Sequence, residues 1–401
     1  MYVTLISCGG GDWNGLTREA QKALEAADRI LGGKRLLAAL PEEVSGERID
    51  APLIADQWRY LAPGDVDHVS VLYSGDAGFW SGARTLIPAL EEENIPYTVL
   101  PGLSSVQLLS ARLGIPWQDW NLVSAHGVDV NPVRELLTGK PTFFLTGGKW
   151  GTRELCAALA DAGLSDLAAV VGQELSLPGE MVEKGTVGEF AGRTFPTLSV
   201  LLVQAAPVPP VRTPGFPDDA FLRGEKIPMT KQTVRAAVLA KLAIRPDDCV
   251  WDIGAGTGAV SVELALAARQ GDTYAVERNP EALSLIRENR KKFCAWNLHV
   301  VEAEAPAGLD GLPAPDAVFL GGTGGKFGPV LRAVLARNPS ARICADSITL
   351  ETLTEALQVL DEEGLPYEVL QLAATCSKAA GPYHLMLANN PVYLITVKER
   401  P

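Results

Sequence analysis

The amino-acid sequence predicts an α/β protein in two units. Three observations carry that expectation. Strand-like and helix-like stretches alternate along nearly the whole 401-residue chain, the pattern of parallel sheets flanked by helices. The stretch Pro207-Val208-Pro209-Pro210-Val211-Arg212-Thr213-Pro214-Gly215-Phe216-Pro217 puts five prolines in eleven residues at mid-chain. In the second half, a strand runs directly into a loop with three glycines and then a helix, the arrangement of an open Rossmann-like sheet.

In the first half, Met1–Ile6 reads as a buried first strand. Further strands are expected at Val69–Tyr73, Tyr97–Leu100, Thr142–Leu145, Ala168–Val171 and Leu198–Val203, each followed by Gly, Pro or Ser and a helical stretch. The proline-rich stretch cannot lie inside a helix or a central strand and reads as a linker. The chain therefore divides into 1–206, a linker 207–220, and 221–401. In the last part, strands are expected at Cys249–Ile253, Thr273–Glu277, Leu298–Val301, Ala317–Leu320, Arg342–Ala345, Tyr367–Leu370 and Val392–Val397. The final two read as an antiparallel pair joined by a loop.

Composition narrows the function. Hydrophobic residues make up 47%, enough for a packed core in each part, and the formal net charge is -13. A nucleic-acid binder would normally show a basic face, so the acidic balance argues against that class. Cys8, Cys156, Cys249, Cys294, Cys344 and Cys376 are far apart, form no CxxC pair and read as buried free thiols of a reducing compartment. With only four histidines, none at ligand spacing to a cysteine, no metal site is expected. No apolar run approaches the roughly 20 residues a membrane span needs, and no basic residue precedes the apolar start. A soluble, cytoplasmic protein is expected, with no membrane partner.

The most informative segment is Asp252-Ile253-Gly254-Ala255-Gly256-Thr257-Gly258, followed by a helix starting near Ala259-Val260-Ser261. Glycines let the backbone turn tightly and approach a ligand, and the helix N-terminus offers free N–H groups. The next strand ends in Glu277, where a carboxylate accepts both ribose hydroxyls of an adenosine ligand. Dinucleotide dehydrogenases share this layout. Here the third glycine follows the second by two residues rather than three, and Asp252 sits two residues before the first. Asp252 there faces the cationic amino-acid end of S-adenosylmethionine, so from about Ile227 onward the chain reads as a methyltransferase using that donor.

Three glycine-bearing segments also follow predicted strands in the first half: Tyr73-Ser74-Gly75-Asp76-Ala77-Gly78, Pro101-Gly102-Leu103-Ser104-Ser105-Val106 and Leu145-Thr146-Gly147-Gly148-Lys149-Trp150. Singly, each also reads as an ordinary turn. Together with Trp117-Gln118-Asp119-Trp120 and Ser124-Ala125-His126-Gly127, their order resembles the tetrapyrrole methylase family, in its cobalamin (vitamin B12) branch acting on precorrin-6. The second half resembles the class I methyltransferase partner of that step. The segments carrying this are Phe221–Lys231, Trp251–Gly258, Glu277-Arg278-Asn279-Pro280, Asp316–Gly322 and Asn390-Pro391-Val392-Tyr393. One stretch departs from the family pattern. Ser7-Cys8-Gly9-Gly10-Gly11-Asp12 stands where a Gly-x-Gly, often with Pro-Gly, is usual.

The resemblance implies a tetrapyrrole methylase fold of two α/β subdomains in the first part and a Rossmann-like class I methyltransferase fold in the second. It implies methyl transfer to carbons 5 and 15 of precorrin-6B, the latter with loss of CO2 from the ring C acetate, giving precorrin-8X. It implies two S-adenosylmethionine sites per chain. One would use Thr230, Asp252, Gly254, Ala255, Gly256, Thr257, Gly258, Glu277 and Ala305. The other would use Gly75, Asp76, Gly78, Ser104 and Ser105. Ala305 lies in Glu302-Ala303-Glu304-Ala305, which lacks the more common Gly-Asp, and Thr230 also reads as a helix N-cap before Val234–Leu242.

The substrate is polyanionic, so Arg223, Lys226, Lys231, Lys326 and Lys378 are candidate carboxylate partners, each also readable as a solvated surface charge. Gly322, in the loop Gly321–Gly325, is a candidate substrate contact. His384 is a candidate proton donor for decarboxylation, and equally an ordinary loop histidine. The resemblance also implies a homo-oligomer, a tetramer through the C-terminal part. Two alternatives stay open: an RNA methyltransferase, and an enzyme with one donor site whose first half only binds tetrapyrrole.

Overall fold

The structure is a computed structural model and describes residues 1–61, 66–208 and 214–397. Part of the proline-rich stretch, residues 209–213, and the C-terminal residues 398–401 lie outside the described residues. The chain divides into two compact units. The first is Met1–Leu136, Lys140–Ala160 and Ser165–Ala206; the second is mainly Pro207–Pro401.

The first unit holds two five-stranded sheets. The strands β1 (Tyr2–Ser7), β2 (Arg29–Gly32), β3 (Glu47–Asp50), β4 (His68–Tyr73) and β5 (Tyr97–Leu100) form one, in the order β3-β2-β4-β1-β5. Every pairing in it is parallel. The inner strands read almost continuously apolar because both faces are covered: in β4, Val69, Ser70, Val71, Leu72 and Tyr73 are all buried. The second sheet contains β6 (Asn121–Ser124), β7 (Thr142–Leu145), β8 (Ala168–Gln173), β9 (Met181–Thr186) and β10 (Ser199–Val203), in the order β6-β7-β10-β8-β9.

That second sheet corrects the expectation of parallel sheets throughout. Only β6 and β7 run parallel; β10 is antiparallel to both β7 and β8, and β9 is antiparallel to β8. The segment 174–180 between β8 and β9 is too short for the crossover of about a dozen residues that a parallel pair requires. Strands β2, β3, β6 and β9 escape sequence reading. Both β3 and β9 are polar edge strands, with Glu47, Arg48 and Asp50 exposed in one and Met181 and Lys184 in the other.

The second unit carries β11 (Cys249–Ile253), β12 (Asp272–Glu277), β13 (Leu298–Glu302), β14 (Ala317–Leu320), β15 (Arg342–Ser347), β16 (Tyr367–Leu372), β17 (Thr375–Ala380), β18 (Tyr383–Ala388) and β19 (Val392–Val397). Its seven-stranded sheet has the order β13-β12-β11-β14-β15-β19-β16. The first five strands are parallel, and β19 is antiparallel to both β15 and β16. The order reverses beside β11, so the carboxyl ends of β11 and β14 flank the crevice where open α/β sheets place ligands. The connection between β16 and β19 is not a loop. It is the hairpin β17–β18, whose side chains are exposed throughout.

Both faces of this sheet are covered. One core gathers Trp251, Ile253, Val318, Leu320, Val330, Leu331 and Ile343; the other gathers Val238, Leu242, Val250, Leu264, Phe319 and Cys344. A buried ion pair fastens the segment that leads into this unit. Arg235 and Glu263 are both fully buried, with Nε donating to the Glu263 carboxylate at 2.8 Å. Arg235 also donates to Asp218 at 2.8 Å, to the Thr230 carbonyl, and to the Phe216 carbonyl. Glu263 accepts the backbone N–H groups of Gly215 and Phe216.

Two smaller expectations also change. Cys8, Cys156 and Cys344 are buried, but Cys249 and Cys294 are half-buried and Cys376 is exposed on β17. Among the described residues, no helix is long and apolar enough to cross a membrane.

Candidate functional site

In each unit a cavity lies at the carboxyl ends of its strands. In the second unit the cavity holds about 780 Å3. Its floor is the loop after β11. Gly254, Gly256 and Gly258 have φ of +77°, +54° and +75°, a region L side chains rarely adopt. Gly254 also packs on the loop after β14, where an added Cβ would lie 2.5 Å from the Gly322 carbonyl oxygen and 2.7 Å from its nitrogen. The two glycine loops thus fix each other backbone to backbone.

Asp252 closes β11 and is fully buried. One carboxylate oxygen accepts from the Ser261 hydroxyl. The other, Oδ1, is buried without a partner. A buried carboxylate oxygen left unmade costs about 1–3 kcal/mol, so this atom awaits a donor. Burial, with the neighbouring Asp346 carboxylate, pushes the Asp252 pKa up to about 7. Glu277 ends β12. Its carboxylate accepts the N–H groups of Gly256, Arg278 and Asn279 at 2.8–2.9 Å, which holds it beside the loop. An adenosine ligand with an ammonium group fits this pair of acceptors, the ammonium donating to the unpartnered Asp252 Oδ1.

The structure sorts the sequence candidates. Thr230, Asp252, Gly254, Ala255, Gly256, Thr257 and Glu277 line the cavity, as do Lys226, Lys231 and Gly322. Gly258 does not; it begins the helix Ala259–Ala267 and packs on Ile286. Ala305 packs partly buried against the core instead. Thr230 is not the helix N-cap: Lys231 is, without a side-chain cap, and the helix runs Gln232–Leu242. Arg223 is exposed outside the cavity lining. Lys326 pairs with Glu304 at 2.6 Å. A helix, Phe327–Arg337, does follow the Gly321–Gly325 loop directly, but its N-cap Lys326 makes no side-chain cap bond. His384 and Lys378 sit on the exposed hairpin, and neither lines the cavity. Sequence reading missed Asp346, near the end of β15, and Asn389, and gave Asn390 only as part of a motif; all three line it. An acid at the carboxyl end of a predicted parallel strand was the signal for Asp346.

The cavity of the first unit is smaller, about 300 Å3. Gly75, Asp76, Ser104 and Ser105 line it; Gly78 does not, and its N–H donates to Asp76 at 2.8 Å. The second Asp76 oxygen accepts the Gly102 N–H at 3.0 Å, so one carboxylate ties two loops together. Ser104 is buried and caps the helix Ser105–Leu113 in a capping box with Gln107. The unusual Ser7 has a structural role: its hydroxyl accepts the Ala77 N–H at 2.8 Å. Gly9 and Gly75 pair through reciprocal backbone hydrogen bonds of 3.0 and 2.7 Å. Arg35, His126 and Glu174 also line this cavity and carried no sequence signal, apart from His126 in its motif. Arg35 donates to the Gly10 carbonyl at 2.6 Å and to the Ser74 hydroxyl at 2.9 Å. Trp80 and Glu174, with φ of +47° and +44°, carry backbone strain at the same cavity.

Comparison with known proteins agrees with this division. Residues 2–191 match the Tetrapyrrole (Corrin/Porphyrin) Methylases, and residues 219–399 match the Precorrin methyltransferase domain. A precorrin-6Y C(5,15)-methyltransferase (decarboxylating) from Sinorhizobium is 32% identical over 87% of this chain and 85% of its own length. A probable cobalt-precorrin-6B C(15)-methyltransferase (decarboxylating) from Pyrobaculum calidifontis is 43% identical over 47% of this chain and 97% of its own length. A crystal structure of precorrin-6Y C5,15-methyltransferase from Geobacter metallireducens shares 43% identity, covering 46% of this chain and 96% of that one at a TM-score of 0.44. The chain is a methyltransferase that belongs to the family of precorrin-6Y C(5,15)-methyltransferases (decarboxylating).

Proposed function

We propose that the chain carries out both methylations and the decarboxylation of precorrin-6B, with one S-adenosylmethionine site in each unit. The first unit methylates carbon 5. The second methylates carbon 15 and removes the ring C acetate as CO2. The observation that carries this reading is the buried, unpartnered Asp252 Oδ1 in a cavity that also holds Glu277. An ammonium donating to that oxygen removes its desolvation cost, and the Glu277 carboxylate meets ribose hydroxyls.

S-adenosylmethionine supplies an activated methyl group. The residues of this chain have to align it with the nucleophilic carbon and exclude water. The mutually packed Gly254 and Gly322 loops supply that rigidity. Lys226 and Lys231, on the cavity wall, meet substrate carboxylates as point charges. In the first unit, the loops tied by Asp76 and the helix capped by Ser104 form the donor cradle. A cytoplasmic location suits such an enzyme. An oligomer built through the exposed hairpin suits its uncovered Tyr383, Leu385, Met386 and Leu387.

Titration calorimetry with S-adenosylhomocysteine tests the reading. Two equivalents should bind per chain, and Asp252→Ala should abolish one of them. A single equivalent in the intact chain refutes a donor site in each unit.

A further inference from the structure

We infer that Asp346 is the acid that protonates the methylene carbon when the ring C acetate loses CO2. The inference rests on the decarboxylation proposed above for the second unit. In that step the bond between methylene carbon and carboxylate breaks, and its electron pair stays on the methylene side, delocalised into the conjugated macrocycle. The carbon then takes a proton, so acetate becomes methyl plus CO2. One proton is consumed per turnover, and solvent restores it to the donor.

Five titratable side chains line this cavity among the described residues: Lys226, Lys231, Asp252, Glu277 and Asp346. Four are committed elsewhere. Lys226 and Lys231 are exposed cations, and Lys231 lies 4.0 Å from Asp218. Glu277 is held as an acceptor by three backbone N–H groups. Asp252 is fully buried beneath the glycine loop, takes the Ser261 hydroxyl, and keeps Oδ1 for a cation.

Asp346 differs from all of them. It is the penultimate residue of β15, two residues beyond Cys344, which pairs with Phe319 of β14, itself paired with Asp252 of β11. No side chain donates to its carboxyl among the described residues. Phe319, Val234 and Val392 line the same cavity, together with the uncharged polar Asn389 and Asn390. Burial raises its pKa to about 6.

The charged groups around Asp346 support a protonated acid. The Asp346 carboxylate lies close enough to oppose the ionisation of Asp252. Two helices pack on β15: Gln232–Leu242, whose Arg235 is paired with Glu263 and Lys241 with Glu368, and Leu350–Glu362, whose charged residues Glu351, Glu355, Asp361 and Glu362 are all acids. The β19 residue opposite Asp346 is Leu394, and the neighbouring β14 carries no charge. With a cation on Asp252, the pair holds its negative charge there and its proton on Asp346. A neutral acid also does not repel a polycarboxylate substrate, and an acid titrating near the working pH is suited to proton transfer.

The test uses the full-length chain with Asp346→Asn and Asp346→Glu. It measures 13CO2 release from precorrin-6B labelled in the ring C acetate carboxyl, with S-adenosylhomocysteine affinity as the control for folding. Asp346→Asn should keep wild-type affinity and lose CO2 release by roughly 100-fold or more, with Asp346→Glu restoring part of it. Wild-type release should fall as pH rises and the acid loses its proton, and the Asn variant should lack that limb. CO2 release at the wild-type rate by Asp346→Asn overturns the assignment, as does parallel loss of affinity and release. A wild-type enzyme that methylates precorrin-6B without evolving CO2 overturns the underlying reading and this inference with it.

Discussion

Replacing Glu263 by alanine should loosen the wall of the donor cavity from a distance. Glu263 is fully buried and accepts from Arg235 and from the backbone N–H groups of Gly215 and Phe216. Its loss leaves Arg235 with the partly exposed Asp218 as its remaining carboxylate partner. Breaking a buried pair by removing one partner costs about 3–5 kcal/mol, and each stranded N–H carries about 1–3 kcal/mol within that loss. Because Arg235 also holds the carbonyls of Phe216 and Thr230, the damage falls on the segment from Gly215 to Lys231, which supplies the Lys226–Lys231 wall. Amide hydrogen exchange followed by peptide mass spectrometry reads this locally. Protection of the 214–222 peptide should fall by about two to four decades, the equivalent of 3–5 kcal/mol. Core strand β11 should be less affected, and S-adenosylhomocysteine binding should weaken. Replacing Arg235 and Glu263 together by apolar residues of similar volume should recover much of the loss. Protection within a factor of three of wild type in the single variant would refute the reasoning.

The elevated Asp252 pKa gives a pH signature. Binding of a cationic donor should tighten about tenfold between pH 6 and 8 as a carboxyl titrating at about 7 ionises, and calorimetry of Asp252→Asn should show a weak, pH-independent affinity. The sign for the unliganded fold is opposite. Its raised pKa means it binds more protons than the unfolded chain between about pH 4 and 7, so stability should fall as pH rises through that window. Gly254→Ala should cost about 1–2 kcal/mol from its φ of +77° alone. The clash with Gly322 should add loss of donor affinity, measurable by thermal shift with and without S-adenosylhomocysteine. Ser7→Ala strands the buried Ala77 N–H and should destabilise the first unit by about 1–3 kcal/mol, whereas Ser7→Thr keeps the acceptor and should cost less.

Much of the second unit was legible because its chemistry is local. Glycines at positions 254, 256 and 258 report positive φ directly, and the distance from Asp252 to Glu277 follows from one strand–helix–strand repeat. What depends on strand neighbours was hidden. Asp346 matters because β15 lies beside β14 and near β11, an adjacency no local pattern encodes. The antiparallel β10 was equally opaque, since a buried run such as Val200-Leu201-Leu202-Val203 looks the same in either direction. The run around His384 failed for another reason. Tyr383-His384-Leu385-Met386-Leu387 is apolar yet exposed, so it could not be assigned to a face. At Ser7 the departure from the family motif proved to be a substitution of function, a hydroxyl on the Ala77 N–H.

Product analysis of the full-length chain acting on precorrin-6B, by mass spectrometry beside an Asp252→Ala variant, tests the central claim most directly. The intact chain should add two methyl groups and remove one CO2. The variant should add one methyl group at carbon 5 and retain the acetate. A variant that still releases CO2 and methylates carbon 15 would contradict the account.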